Sequence, residues 1–264
     1  MASLATYRYP TEITTLATTL AVSTALIIAG SSFTVGGVAI VVILGFLFTY
    51  GMVLWRNWRL KRSALPSEEV PEVHAIVEQC RSRLGVRDPI RVYIVNAPVL
   101  NAYAVGFRAP QSIVVYTGLI RALDHDELAY VIGHEMGHVL FRHTTIHALT
   151  GQLGLHTFGI PLLGYFLRYI FYFWMRVAEF SADRAGLIAC GKLEKALSTQ
   201  LKLSVGPERG AQVDVAPIIR HWRENDVGVA DQLKDVLSTH PVAQARMDKM
   251  VDFAYSGAVP DLAT

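Results

Sequence analysis

Hydrophobic positions are distributed unevenly along this chain. From Ile13 to Trp55, 43 positions pass without a charged residue, whereas about 20 apolar residues are enough to span a bilayer. The run divides near Gly30-Ser31-Ser32 and predicts two spans, about 13–29 and 35–55. The second is continuous through Ile40, Val41, Val42, Ile43 and Leu44; the first is shorter and rich in threonine. Arg56, Arg59, Lys61 and Arg62 follow at once, which the positive-inside rule assigns to the cytoplasm. The expectation is a membrane-anchoring helical hairpin over residues 1–62, with both its ends cytoplasmic. A cleaved signal peptide fits the first stretch poorly, because Arg8 is opposed by Glu12.

The pattern then changes to that of a folded domain, residues 63–264. Pro66, Ser67, Glu68, Glu69 and Pro71 read as a linker into a helix from Glu72. Arg91 to Val95 and Ser112 to Tyr116 alternate or run apolar and β-branched, as strands do. Asn101 to Gly106 lies between them, and Arg108-Ala109-Pro110-Gln111 offers a turn before the second strand. Leu128, Val131, Ile132, Met136, Val139 and Leu140 keep a helical rhythm, with Asp124 and Glu127 spaced as a capping box. Thr239-His240-Pro241 reads as the start of a final helix.

One further hydrophobic region, 149–174, has no acid or base between Leu149 and Leu167 except His156, and eight aromatics between Phe158 and Trp174. Gly159, Pro161 and Gly164 argue against one long helix there. Two readings stay open: a segment at or partly in the membrane interface, or a buried helix of the domain.

Chemistry concentrates in His134-Glu135-Met136-Gly137-His138. Residues i and i+4 share a helix face, so both imidazoles can bind one Zn²⁺, with Glu135 beside the open position as general base. Nine His and eleven Glu in 264 residues would give such a pattern by chance about 0.013 times. A catalytic zinc site takes a third protein ligand. A histidine ten residues after His134 is ruled out, since Thr144 stands there. His143 is one residue off and would project from another side of a continuing helix. Glu179 fits instead, with Asp183 one turn on to orient a ligating histidine. His143 and His147 form a second i, i+4 pair but lack a base between them, and read as solvated or interfacial.

With these motifs the chain resembles the membrane zinc endopeptidases that include HtpX and the CAAX prenyl proteases. The resemblance runs from about Val70 to Asp252. It rests on Asn101-Ala102-Tyr103-Ala104-Val105-Gly106, His134-Glu135-Met136-Gly137-His138, Glu179-Phe180-Ser181-Ala182-Asp183, and more weakly on His240-Pro241 with Arg246. It implies one Zn²⁺ per chain on His134, His138 and Glu179, with Glu135 as catalytic base. It further implies an α+β fold, mostly helical, with a zincin-type domain and a small antiparallel sheet. Asn101, Ala102, Tyr103 and Ala104 would lie on the sheet edge, where an extended substrate adds as a strand. The developing oxyanion needs a donor; His240 and Arg246 are candidates, and Tyr103 or Tyr116 are not selected by anything in the sequence.

HtpX-type proteins commonly carry two more spans between zinc helix and glutamate. Here only 40 residues separate His138 from Glu179, and they include Arg142, Arg168 and Arg176. One crossing would put the ligands on opposite sides, and two would need about 40 residues with none left for a turn. No full crossing is expected. The resemblance implies an endopeptidase in the membrane, the cell inner membrane if bacterial, with its catalytic domain cytoplasmic and protein or peptide substrates among membrane proteins. A processing protease of narrow specificity and an inactive metal-binding scaffold are the alternatives; Glu135 counts against the scaffold, because zinc binding alone does not require it.

Composition adds little. The hydrophobic hairpin accounts for much of the 52% hydrophobic content, and a net charge of +2 gives no sign of nucleic-acid binding. Cys80 and Cys190 lack metal-ligand spacing and read as small core residues in a reducing compartment.

Overall fold

A computed structural model describes residues 8–30, 47, 50–51, 54–55, 58–60, 62–106, 109–150, 161–216, 219, 241–259 and 262. Helix α1 (Glu12–Gly30) forms over the first expected span. The second expected span falls largely outside the described residues. No described helix is long and apolar enough to cross a membrane.

The expected linker contains a two-residue strand, β1 (Leu65–Pro66), and a 3-10 turn, Ser67–Glu69. Pro71 then sets the first turn of α2 (Pro71–Leu84), and Gly85, at φ 65°, ends it in the left-handed region. Three strands follow: β2 (Ile90–Val95), β3 (Ala102–Val105) and β4 (Gln111–Tyr116). The order across the sheet is β1-β2-β4-β3.

The sheet is mixed, which corrects the antiparallel expectation. β2 and β4 are parallel, from Ile90 opposite Gln111 to Val95 opposite Tyr116, while β3 returns antiparallel on the far side of β4. Burial explains this order. In β4 the residues Gln111 to Val115 are all buried, so it takes an interior place; β3 is only partly buried and takes the edge. Side chains alternate between two clusters with the period of two that strands impose. Val92, Ile94, Ile113 and Val115 face the main core, whereas Tyr93, Val105 and Val114 pack with Leu60 on the other side.

After α3 (Thr117–Ala122) comes α4 (His125–Leu140), the helix of the two motif histidines. Its capping box forms as expected: Asp124 Oδ1 accepts from Glu127 N at 2.9 Å, and Glu127 Oε2 accepts from Asp124 N at 3.0 Å. Lys202 Nζ, 2.7 Å from Glu127 Oε1, compensates the charge of that buried carboxylate. α4 stops at Phe141, Arg142 turns the chain at φ 61°, and α5 (His143–Thr150) starts in a new direction.

The 30-residue α6 (Pro161–Cys190) runs through Gly164 without ending. Of the three residues expected to argue against one long helix over 149–174, Gly164 lies within α6 and Pro161 is its first described residue, while Gly159 falls in 151–160, outside the described set. Phe171 and Trp174 pack inward with Ala178, while Tyr172 and Phe173 are exposed. α7 (Leu193–Val205), α8 (Pro207–Ala211) and α9 (Pro241–Tyr255) complete the fold. α9 covers the expected final helix, with Pro241 its first described residue.

α4 packs most extensively on α6, and the contact is made by small residues. A Cβ added at Gly133 would lie 2.2 Å from Ala189 Cβ, and one at Gly137 would lie 2.7 Å from Ala185 Cβ. Around this contact Ile132, Met136 and Leu187 are fully buried, each worth about 1.5–3 kcal/mol in apolar burial. Cys80 and Cys190 are free and buried, and burial pushes their thiols up to about 12 and about 11.

Gly133→Ala should therefore destabilise the fold by about 1–3 kcal/mol through overpacking, although alanine is the better helix former by about 1 kcal/mol. Chemical denaturation of the two proteins measures this. A variant as stable as the parent would show that the helices are not this close.

Candidate functional site

The close crossing of α4 and α6 sets the site. Gly133 and Gly137 each precede a motif histidine, so the face that allows close approach lies beside the face that carries the imidazoles. Asp183 lies one turn beyond Glu179 on α6, facing α4. His134 Nε2 and His138 Nε2 come within 3.1 Å of each other. Glu179 Oε2 lies 3.5 Å from His134 Nε2, and Glu179 Oε1 lies 3.5 Å from His138 Nε2. In a tetrahedral zinc site with metal–ligand bonds of about 2.0–2.1 Å, neighbouring donor atoms stand about 3.3 Å apart. The three spacings bracket that value. Among the described residues this is the cluster whose donor atoms suit a metal ion.

Electrostatics agree with that geometry. Glu135, Glu179 and Asp183 place three carboxylates around one guanidinium, that of Arg246, and the deficit of positive charge suits a divalent cation. Burial alone would depress the His134 pKa. Asp183 and Glu179 outweigh it and hold the imidazolium up to about 10. Against burial, Arg246 and the two histidines keep Glu179 well below the usual carboxylate range. This donor set fits zinc.

Asp183 is 1% exposed and is held from three directions. His134 Nδ1–H donates to Oδ1 at 3.1 Å, which turns Nε2 towards Glu179 and His138. Tyr130 donates its hydroxyl to the same oxygen at 2.7 Å. Arg246 grips the carboxylate through Nε at 2.8 Å and Nη2 at 2.6 Å, and its Nη1 lies 3.2 Å from Glu179. Despite burial, Arg246 keeps the Asp183 carboxyl down at about 2. Arg246, expected as a candidate oxyanion donor, is thus placed on the two acidic residues. Tyr130 was missed from sequence; its position one turn before His134 on the same face was the available signal.

Glu135 is 8% exposed. Burial raises its pKa to about 7; His134 opposes this, Glu179 adds to it, and the Ala104 backbone and Arg246 oppose it. The Ala104 contact places edge strand β3 beside Glu135. Ala102 and Ala104 pack against the main core, while Tyr103 and Tyr116 face the second cluster with ring centroids 6.2 Å apart. Both tyrosines therefore lie on the sheet face away from the metal cluster. Asn101 immediately precedes β3. His240 lies outside the described residues.

His143 corrects a sequence expectation. It is fully buried, not solvated or interfacial, and its Nδ1 lies 2.9 Å from His138 Nδ1. The expectation assumed that the helix continued past Leu140. The turn at Arg142 reorients the chain and brings His143 back against His138.

In the metal-free protein an ionised Glu135 weighs against folding. The penalty is negligible below the ordinary carboxyl value of 4.5, grows as pH rises towards about 7, and is constant above that. Metal-free Glu135→Gln should match the parent near pH 4 and exceed its stability by about 3 kcal/mol at pH 8. Urea titrations at the two pH values read this difference directly. Equal stabilities at pH 8 would mean that the carboxyl is not held up.

The sequence profile of Peptidase family M48 matches residues 67–253. A "Protease HtpX homolog" of Pyrococcus furiosus is 33% identical over 171 residues, covering 62% of this chain and 55% of that protein. The corresponding protein of Pyrococcus abyssi is 33% identical and is covered over 56% of its length, so the match spans little more than half of either. A "Protease HtpX homolog" of Moorella thermoacetica is 27% identical over 260 residues, with 83% of this chain and 84% of that protein covered. A "Plastoglobule-localized metallopeptidase 48, chloroplastic" of Arabidopsis thaliana is 28% identical over 164 residues, 60% of this chain and 47% of that protein. No solved structure matches. The helix that presents His134 and His138, the helix that presents Glu179 and Asp183, and the strand edge beside Glu135 all lie inside the matched region: this chain belongs to peptidase family M48, as an HtpX-like member.

Proposed function

We propose that the chain is a membrane-anchored, zinc-dependent endopeptidase. The observation that carries this reading is the convergence of His134, His138 and Glu179 beside a buried carboxyl held near pH 7, that of Glu135. A divalent zinc ion on those three residues would supply Lewis acidity, acidifying water and polarising a peptide carbonyl.

The protein's own groups do the rest. A pKa near neutrality lets Glu135 take a proton from water at its carboxylate and then deliver it to the leaving amine. A cation beside it would lower that pKa and leave it ionised at rest. Arg246 keeps Asp183 anionic, and Asp183 keeps the His134 proton on Nδ1, so that Nε2 remains a ligand. We assign β3 the task of pairing with an extended substrate, since among the described residues its pairing is with β4 alone. Backbone pairing through Ala102 to Ala104 would position a peptide bond near Glu135 without reading side chains. We retain His240 as the oxyanion donor candidate. Arg246 acts as a positioning residue, because its guanidinium is occupied by carboxylates.

The uncharged run from Ile13 to Trp55 and the basic residues after it support a membrane anchor with the catalytic domain on the cytoplasmic side. Exposed Tyr172 and Phe173 on α6 support contact with the interface near the site. Substrates are then proteins or peptides at or in the membrane, which fits a role in membrane-protein quality control.

Metal analysis and casein cleavage on detergent-purified protein test the catalytic part. The expected result is one zinc per chain in both wild type and Glu135→Gln, with cleavage reduced at least about 10³-fold in the variant. Surviving cleavage would remove Glu135 from the mechanism; zinc without cleavage in either protein would favour the scaffold reading. For the anchor, the chain should stay with the membrane fraction through alkaline carbonate and be released by detergent. Release by carbonate alone would overturn membrane insertion.

A further inference from the structure

Glu12 is a buried carboxylate at the first position of α1, with its side chain 3% exposed. The proposed function does not use it. Its Oε1 accepts from His143 Nε2–H at 2.9 Å, and its Oε2 accepts from the Ser181 hydroxyl. Arg8 Nε lies 3.5 Å from Oε1 and partly offsets the charge. Its position is over-determined: Tyr9 N–H donates to Ser181 Oγ at 2.8 Å, Arg184 Nη1 donates to Arg8 O at 3.1 Å, and the Tyr9 and Phe180 rings are 5.1 Å apart.

The proton positions along this line follow from donor and acceptor logic. An ionised carboxylate can only accept, so His143 carries its hydrogen on Nε2. His143 Nδ1 faces His138 Nδ1 at 2.9 Å, and in the tautomer that turns His138 Nε2 to a metal, His138 Nδ1–H donates and His143 Nδ1 accepts. His138 donates from Nδ1, and its Nε2 is left bare, 3.1 Å from His134 Nε2 and 3.5 Å from Glu179 Oε1. Both candidate ligand histidines are thus set in the same tautomer by a buried carboxylate. Asp183 does this directly for His134, and Glu12 does it for His138 through one intervening imidazole. The Trp174 and Phe141 rings, at 5.7 and 5.6 Å from His143, close the line off from water.

We propose that Glu12 and His143 are positioning residues for the metal site, holding His138 in its ligating tautomer and orientation. They tie the start of the uncharged N-terminal run to the metal ligands. The inference rests on the reading of His134, His138 and Glu179 as metal ligands. Its consequence is that docking of α1 onto α6 tunes metal affinity, although Glu12 is not one of the three candidate ligands.

The test uses the full 264-residue chain and compares wild type, Glu12→Ala, Glu12→Gln, His143→Ala, Glu12→Ala with His143→Ala, and Asp183→Asn. Zinc affinity is measured by chelator competition, ligand geometry by the visible spectrum of the cobalt(II) form, and folding by thermal melts of the metal-free proteins. Glu12→Ala and His143→Ala should each weaken zinc binding about 10- to 100-fold and shift the cobalt spectrum. The double variant should bind no more weakly than His143→Ala, since one line is cut twice. If Glu12→Ala does not fold, Glu12→Gln carries the test, with a loss of about fivefold because the charge alone is removed. Wild-type affinity and spectrum in a folded Glu12 variant would overturn the proposal, as would losses that multiply in the double variant. Weakened binding in Asp183→Asn alongside unaffected Glu12 variants would overturn this inference and leave the metal reading standing. A wild type that binds no zinc would instead overturn the metal reading.

Discussion

Two helices can approach as closely as α4 and α6 do only where neither presents bulk at the contact. Gly133 and Gly137 on one side, with Ala182, Ala185, Gly186 and Ala189 on the other, leave no room for an added Cβ. Gly133 and Gly137 each precede a histidine, and Ala182 precedes Asp183, so the small-residue seam runs beside the chemical one. If the seam opened, His134 and His138 would still share a helix face, but Glu179 would move away from the 3.5 Å distances that make a three-donor cluster. The site is a property of the helix crossing more than of either helix.

Once the helices are locked, charge decides the rest. Asp183 is buried where an isolated carboxylate would be costly. Arg246, Tyr130 and His134 all donate to it. The cost of burial is offset by a network that also selects the His134 tautomer. Arg246 arrives from α9, far along the chain, so the carboxylates of the candidate metal site depend on the docking of that helix. Glu135 is treated in the opposite way: it is buried with weaker compensation, and its pKa rises to about 7. Two carboxylates a few residues' distance apart in space thus differ by several pKa units, one fixed as an anion and the other able to exchange a proton.

Much of this was legible in the sequence. The capping box at Asp124 and Glu127, the strands through Val92 and Val114, a helix after Pro241 and the pairing of His134 and His138 with Glu179 and Asp183 are all patterns whose period or spacing survives folding. The parallel pairing of β2 with β4 was not legible, because nothing local to either strand states which neighbour the other chooses. Tyr130 was passed over for a different reason: an apolar-looking ring in a buried helix face reads as core, and its hydroxyl acquires meaning only from Asp183 opposite. His143 was misread because a helix was carried past Leu140; the left-handed turn at Arg142 has no glycine to announce it.

By itself the sequence determined the chemistry available: two imidazoles one turn apart, a candidate base between them, a candidate third ligand on a later helix and an uncharged run long enough for a membrane. Those are short-range facts, set by helical geometry and by the absence of charge. Only the tertiary structure decided which residues contact the candidate ligands. Glu12 and His143 are 131 residues apart, and Asp183 and Arg246 are 63 apart. Hydrogen bonds across such distances depend on how whole elements dock, and docking is governed by shape and burial summed over many residues.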